Sequence, residues 1–299
     1  MKISICVPVY NEELNIKLFY EAMTGFLKKN NYTDYEIIFS NNNSTDKSSD
    51  EILKLCQNDK KVKYISFAYN LGYDRSIYEN YLSSSGDIAV SIDCDLQDDL
   101  ETINEFIKNW KSGHDLVYGV RYNRKGSYLF ILFTRLYYRI FNFFHFGKIP
   151  NDSGDFRLID KRIIEDLRKN KTVRPYTRFL TFVYAKNPMG VSYNREIRKL
   201  GSSKFGFCNS FKYGITMLTL YTNFFPRILC LAFLNFAIVF LLLPFFGFPI
   251  TLQLMYYFFL ILFIIILLVT FYLLENLFLI YNESRLKDHV ILQKINFDD

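Results

Sequence analysis

Ile88-Ala89-Val90-Ser91-Ile92-Asp93-Cys94-Asp95-Leu96-Gln97 is the stretch from which the rest of this chain is read. By length and β-branched content, Ile88–Ile92 is a buried strand. Side chains alternate along extended backbone, so Asp93 and Asp95 point one way and Cys94 the other. Two carboxylates at a strand end, with the Gln97 amide oxygen two residues on, suit a hard divalent cation. Mg2+ and Mn2+ prefer such oxygens and keep positions open for phosphate groups. A bare Asp-x-Asp is equally a solvated acidic turn; its place at the end of an apolar strand favours the metal.

Working outward, strands and helices alternate on both sides. Ile3–Val7 is a short apolar strand ending at Pro8, and Glu12 to Lys29 carries Leu14, Leu18, Ala22 and Phe26 at helical spacing. Tyr35–Phe39 is a second strand, followed by the polar loop Asn41-Asn42-Asn43-Ser44-Thr45-Asp46, which can cap the next helix. Val62–Phe67 reads as a strand, Tyr73–Ser85 and Leu100–Trp110 as helices, and Asp115–Val120 as a further strand. Such alternation over the first 120 residues or so predicts an α/β domain with a mostly parallel sheet and ligands at the carboxyl ends of its strands.

Composition divides the chain into two environments. Hydrophobic residues make up 50% and aromatics 18%, and both crowd into the part after Ser127. Tyr128 to Phe146 is apolar and aromatic but contains Arg135, Arg139 and His145, which predicts an interfacial helix; it also suits a core helix with two snorkelling arginines. A second interfacial helix is expected over about 206–225. Ile228–Phe248 and Met255–Leu274 contain no charge, and about 20 helical residues match a hydrocarbon core of about 30 Å. Domain boundaries follow: a catalytic domain over 1–225, a transmembrane hairpin over 226–281 with spans about 228–248 and 254–276, and a tail over 282–299. Arg227, Arg285 and Lys287 place both ends of the hairpin in the cytoplasm by the positive-inside bias. Met1–Pro8 is too short an apolar run for a signal peptide, so the first domain is expected to be cytoplasmic as well.

The net charge of +6, from 36 Lys and Arg against 30 Asp and Glu, is too small to point to nucleic acid. Arg121, Arg124, Lys125, Arg135 and Arg139 lie among Phe and Tyr, a pattern that suits an anionic membrane surface. The five cysteines form no Cys-x-x-Cys pair and are read as reduced core or membrane residues.

Five motifs then carry a resemblance. Val7-Pro8-Val9-Tyr10-Asn11-Glu12, Ser44-Thr45-Asp46, Asp93-Cys94-Asp95-Leu96-Gln97, Ser153-Gly154-Asp155-Phe156-Arg157-Leu158 and Gly201-Ser202-Ser203-Lys204-Phe205 occur in this order ahead of the hairpin. The chain thereby resembles the family 2, GT-A fold glycosyltransferases of the dolichol-phosphate mannose synthase and bactoprenol glucosyltransferase type. The resemblance implies an inverting transfer of one sugar from a nucleotide sugar, a UDP-hexose, to polyprenyl (undecaprenyl) phosphate at the cytoplasmic membrane face. It implies Mg2+ or Mn2+ as cofactor, and a small homo-oligomer.

It also implies residue roles. Pro8, Tyr10 and Glu12 would line the nucleoside pocket, with Asn42 beside the base, and Asp93 would sit near ribose, sugar or metal. Asp95 and Gln97 would hold the metal, and Arg121 and Arg124 the donor phosphates; Arg124 is also readable as a plain surface charge. Asp155 would be the base or would orient the acceptor phosphate, with helix capping as its plain alternative. Arg157 and Lys204 would hold the acceptor phosphate, although Arg157 could instead pair with Asp155.

The sequence also departs from the pattern. Asn41-Asn42-Asn43 stands where the family commonly has Asp-Asp-Gly, and an amide oxygen accepts more weakly than a carboxylate. Two rival readings stand beside this one. A processive polysaccharide synthase would carry Gln-x-x-Arg-Trp, but the single tryptophan, Trp110, lies in Phe106-Ile107-Lys108-Asn109-Trp110. A non-catalytic nucleotide-sugar or lipid-binding scaffold gains support from the asparagine triplet and loses it from the intact Asp95, Gln97 and Asp155.

Overall fold

The structure is a computed structural model of all 299 residues. It describes every residue except 123–127, 145–148, 151–152, 171, 173–174, 197, 199–206, 248–250, 286–290 and 298–299. Arg124 and Lys204, with the Gly201–Phe205 motif, therefore fall outside the described residues.

The elements in chain order are β1 (Ile3–Val9), α1 (Ile16–Lys29), β2 (Tyr35–Asn41), α2 (Ser48–Asn58), β3 (Val62–Phe67), α3 (Tyr73–Ser83), β4 (Ile88–Ser91), α4 (Thr102–Lys111) and β5 (Leu116–Tyr122). There follow α5 (Tyr128–Phe144), β6 (Ser153–Asp160), α6 (Lys161–Lys169), α7 (Thr177–Tyr184), β7 (Pro188–Asn194), α8 (Phe207–Tyr221), α9 (Phe224–Leu242), α10 (Leu252–Arg285) and β8 (Ile291–Ile295). The chain forms two compact units. One comprises Met1–Leu132, Gly147–Lys204 and Leu286–Asp299; the other comprises Phe133–Phe146 and Phe205–Arg285.

In the first unit eight strands form one sheet in the order β7-β5-β6-β4-β1-β2-β3-β8. β1 pairs in parallel with β2 and β4, β2 with β3, and β5 with β7, as the alternation of strands and helices predicts. β6 is antiparallel to both β4 and β5, and β8 is antiparallel to β3. The period of two sorts the strands' faces. Ile3, Ile5, Val7 and Val9 of β1, with Ile37 and Phe39 of β2, meet Ile16, Phe19 and Met23 of α1 in the main core. The opposite face carries Ser4 and Cys6, and α3 packs against β1 and β2.

Pro8 sits in a central strand without loss because β4 registers only with Ile3–Cys6, so Pro8 lies past its last β4 partner. α1 begins at Ile16 rather than Glu12 because Asn11 turns into the left-handed region at φ 54. The Glu12 and Glu13 N–H groups then donate to Ser48 Oγ and to Asp46 Oδ2, not into a helix.

The tail differs from expectation. Ile291–Ile295 is the eighth strand of the catalytic sheet, and Ile291 and Phe297 pack on Ile38, Ile65 and Phe67. Asn296 donates to the carbonyls of Cys56 (2.9 Å) and Val62 (2.8 Å). Those apolar β2 and β3 side chains lie away from the main core and need a cover, which the tail provides.

In the second unit, Phe224–Phe246 and Leu252–Phe278 are long and apolar enough to cross a membrane, and neither is buried within the protein. α9 continues as a 3-10 turn over Leu243–Phe246 that Gly247 ends at φ 81, a conformation glycine adopts without strain. The two long helices interlock through rings: Phe258 stacks on Phe236 at 5.3 Å and meets Phe240 at 4.1 Å. α10 is longer than a span needs, at 34 residues. α5 and α8 form as expected and touch through Phe133 and Phe211, 5.6 Å apart. Along α5, Leu132, Arg135, Leu136, Arg139 and Phe143 fall on one exposed face, a mixture of apolar and cationic groups that a water-facing helix does not need.

Candidate active site

The site assembles where the ends of β1, β2, β4 and β6 meet the segment after β7. Its first part is a lock between two of the sequence motifs. Asn11 Oδ1 accepts from the Thr45 N–H at 2.7 Å, and Ser44 Oγ accepts from the Asn11 N–H at 2.9 Å. Asp46 Oδ1 receives the Ser48 N–H, so Ser44-Thr45-Asp46 is a brace for the loop after β1. Tyr10 is exposed, Pro8 is buried, and the Glu12 side chain lies half-covered beside them.

The second part is the acidic loop after β4. Cys94 turns into the core, while Asp93 and Asp95 face Arg195, so the alternation holds. Leu96 takes a left-handed φ of 53, and the Gln97 N–H closes back on Asp95 Oδ1 at 3.2 Å. Burial and then the neighbouring Asp93 push the Asp95 carboxyl up to about 6, against the opposing pull of Arg195. Asp98, buried behind them, accepts from Tyr193 Oη at 2.6 Å; burial raises its pKa, opposed by Arg195.

Two arginines that sequence reading missed close over this loop. Arg195 reaches Asp93 at 3.1 Å, Asp98 at 3.4 Å and Asp95 at 3.7 Å. Arg198 holds both oxygens of Glu12 and comes within 3.9 Å of Asp95. Backbone bonds anchor the segment: Asp98 bridges Arg195, the Glu196 N–H donates to the Gln97 carbonyl at 2.8 Å, and Gln97 Nε2 returns a bond to the Glu196 carbonyl at 2.9 Å.

The third part surrounds Asp155. Arg178, at the start of α7, donates from Nε to Oδ1 at 3.0 Å and from its terminal nitrogen to Oδ2, a two-point grip. Burial works to raise the Asp155 carboxyl, but Arg178, then Arg157 and Arg121, outweigh it and hold it below the ordinary value. Below, Tyr81 donates to Ser91 Oγ at 2.8 Å, and Ser91 Oγ donates to the Asp155 carbonyl.

Two of the expected site residues are turned inward and engaged by other partners in this structure. Arg157 is only 1% exposed, and its guanidinium donates inward to the Gly154 carbonyl and Thr181 Oγ1, both at 2.5 Å, and to the Arg178 carbonyl at 3.2 Å. It underpins Asp155 and presents no face to an acceptor phosphate. Asn42 is buried, and its amide accepts from the Leu71 N–H at 2.8 Å and donates to Asn70 Oδ1 at 2.9 Å. It shapes the 70–72 turn instead of meeting a base. Arg121 does reach the site: its charge opposes the upward shift that burial imposes on Asp98 and adds to the downward pull on Asp155, and its buried Nε finds no partner among the described residues.

A divalent cation fits the acidic loop by its chemistry. Mg2+ is usually held by one or two carboxylates together with substrate phosphates, and Asp93 and Asp95 supply hard oxygens whose mutual repulsion a cation would relieve. Among the described residues no group of three or more His, Cys, Asp or Glu is placed to hold a metal, which leaves the remaining positions to phosphate oxygens.

A mostly parallel sheet with a carboxylate loop at its centre and guanidinium groups around it is the plan of the GT-A class. Residues 4–168, just over half of the 299, match the family model described as Glycosyl transferase family 2, and the chain belongs to that family. It is a glycosyltransferase. It is 34% identical over 221 residues to the uncharacterized glycosyltransferase YkcC of Bacillus subtilis, covering 74% of this chain and 68% of that one. The prophage bactoprenol glucosyl transferase homolog of Escherichia coli is 31% identical over 230 residues, covering 76% and 74%. The bactoprenol glucosyl transferase of Shigella phage SfV is 31% identical over 226 residues, covering 75% and 73%. The resemblance read from the five motifs is thus borne out. Among solved structures, the mannosyltransferase PcManGT from Pyrobaculum calidifontis, in complex with GDP-Man and Mn2+, aligns with TM-score 0.47 at 13% identity, covering 73% of this chain and 62% of that one.

Proposed function

We propose that this enzyme transfers one sugar from a nucleotide sugar, a UDP-hexose, to the phosphate of a polyprenyl (undecaprenyl) lipid at the cytoplasmic face of a membrane. The observation that carries the acceptor class is the two-point grip of Arg178 on Asp155. A carboxylate held below its ordinary pKa is a poor base for a neutral sugar or protein hydroxyl. A phosphate monoester needs no such base, because its second pKa is about 6 and it is already an anion near neutral pH. Asp155 then orients Arg178 toward the acceptor phosphate, the role that the motif resemblance implies for Arg157. Lys204 stays a second candidate for that phosphate.

On the donor side, Pro8, Tyr10 and Glu12 line the nucleoside pocket, Asp93 accepts from ribose or sugar hydroxyls, and Arg121 offers its unpaired Nε to the diphosphate. Asp95 and Gln97, the latter through its amide oxygen, hold Mg2+ or Mn2+, which when bound supplies positive charge against the departing diphosphate. The helices able to cross a membrane and the mixed apolar and cationic face of α5 support a lipid acceptor. So does the name bactoprenol glucosyl transferase carried by several relatives.

The test is to incubate the purified protein with a panel of nucleotide sugars, Mn2+ and undecaprenyl phosphate, and to analyse the lipid by mass spectrometry. One added sugar on the lipid is expected. Products longer than one sugar, or efficient transfer to a water-soluble hydroxyl with no lipid labelling, refute the reading.

A further inference from the structure

The asparagine triplet and the turn after β3 have no role in the reaction as described, yet they deliver a side chain into its centre. Asn42 accepts from the Leu71 N–H (2.8 Å) and donates to Asn70 Oδ1 (2.9 Å), and Asn70 Oδ1 in turn accepts from the Gly72 N–H at 2.9 Å. Gly72 then takes φ 86 and ψ 167, a conformation open to glycine and strained for other residues, and α3 starts at Tyr73. The Tyr73 hydroxyl donates to Asp93 Oδ1 at 2.7 Å, while Arg195 holds Asp93 Oδ2 at 3.1 Å. Both oxygens of the donor-side carboxylate are thereby fixed.

The next residue acts in the other direction. The Thr177 N–H donates to Asp74 Oδ1 at 3.0 Å, and Thr177 Oγ1 donates to the Asp74 carbonyl at 2.8 Å. Thr177 opens α7, and Arg178, one residue on, grips Asp155. A single turn of α3 thus touches Asp93 through residue 73 and the carrier of Arg178 through residue 74.

We propose that Tyr73 is a positioning residue for Asp93, delivered by the Asn42–Asn70 amide pair, and that the first turn of α3 sets the spacing between the donor-side carboxylate and the Asp155–Arg178 pair. The amide at position 42 is required here because a carboxylate cannot donate to Asn70. This explains the departure from Asp in the triplet as a change of role and not a weakened base contact. The inference rests on the proposed donor role of Asp93.

The experiment measures binding of UDP in the presence of Mn2+ to the full-length protein by calorimetry, together with the kinetics and thermal midpoint of each variant. Tyr73→Phe removes one hydrogen bond to a charged group, worth about 10- to 100-fold. We expect UDP affinity to fall and donor KM to rise by that factor, with lipid KM unchanged. Combining Tyr73→Phe with Asp93→Asn should add little beyond Asp93→Asn alone, as a double-mutant cycle requires of one shared interaction. Asn42→Asp should weaken UDP in the same direction; a carboxylate that faced the base would strengthen it. Unchanged UDP affinity in Tyr73→Phe, additive losses in the cycle, or tighter UDP in Asn42→Asp each overturns this inference alone. Failure of the unaltered protein to bind UDP overturns it together with the donor reading.

Discussion

Asp95→Asn is expected to abolish activity and to stabilise the metal-free protein. Holding Asp95 ionised in the fold is unfavourable, because its pKa stands at about 6 against the ordinary 3.8. Folded-state protonation is therefore favoured between those values, and the contribution to stability is lost as pH rises from about 4 through 6. At pH 7 the folded protein bears the full difference, about 2 units at 1.36 kcal/mol each, or ~3 kcal/mol. The side chain is only 9% exposed, so solvent screening removes little of it. An amide of the same shape has no charge to bury, and the thermal midpoint should rise by roughly 6 °C or more at pH 7, with no gain at pH 4. A divalent cation is expected to stabilise only the unaltered protein. At 100 times its Kd it adds about 2.7 kcal/mol to the unaltered chain and nothing to the variant. The assay is thermal unfolding at pH 4 and pH 7, with and without Mn2+, beside a donor-turnover measurement. A lower midpoint at pH 7 in the variant, or an undiminished shift with Mn2+, would refute Asp95 as a strained metal ligand.

Three further outcomes follow from the same geometry. Arg178→Lys keeps the charge but loses the two-point grip, so lipid-phosphate KM should rise by about 10- to 100-fold with donor KM unchanged; steady-state kinetics against each substrate separates the two. Glu36 is buried under Lys63, Ser4 and Ser85, whose bonds outweigh burial and bring its pKa down to about 2 from 4.5. Its stabilisation is complete above about pH 4.5 and is lost as pH falls through 2, so denaturant unfolding at pH 7 should show Glu36→Gln weaker by ~3 kcal/mol, a difference that vanishes in strong acid. Ending the chain before Ile291 uncovers Ile38, Ile65 and Phe67 and the edge of β3, so the midpoint should fall and light scattering should report association; an unchanged, monodisperse protein would show that the strand is dispensable.

What the sequence made legible was local. β4 and the turn of Asp93 and Asp95 to one side of it were readable because a strand's alternation fits within ten residues. The two membrane-capable helices were readable because hydrocarbon thickness sets the length of uncharged run to look for. Long-range partners were not. Asp155 and Arg178 are 23 residues apart, Asp93 and Arg195 are 102 apart, and Glu12 and Arg198 are 186 apart. No periodicity marks Arg195 or Arg198, and a lone arginine after a strand reads like any surface charge. Arg157 was misplaced for the opposite reason. Its neighbours Asp155 and Phe156 belong to a motif that implies a ligand, but alternation along β6 put its side chain on the buried face, against Thr181.

The tail shows the same limit from the other end of the chain. Ile291–Ile295 is too short and too polar on one side to signal a strand by itself, and its pairing partner β3 lies more than 200 residues upstream. The one available sign was on β2 and β3: Ile38, Ile65 and Phe67 are large apolar side chains on the face opposite the main core, and they require a cover. The sheet is thus built from chain that precedes and chain that follows the two membrane-capable helices, and the tail strand gives these side chains their cover.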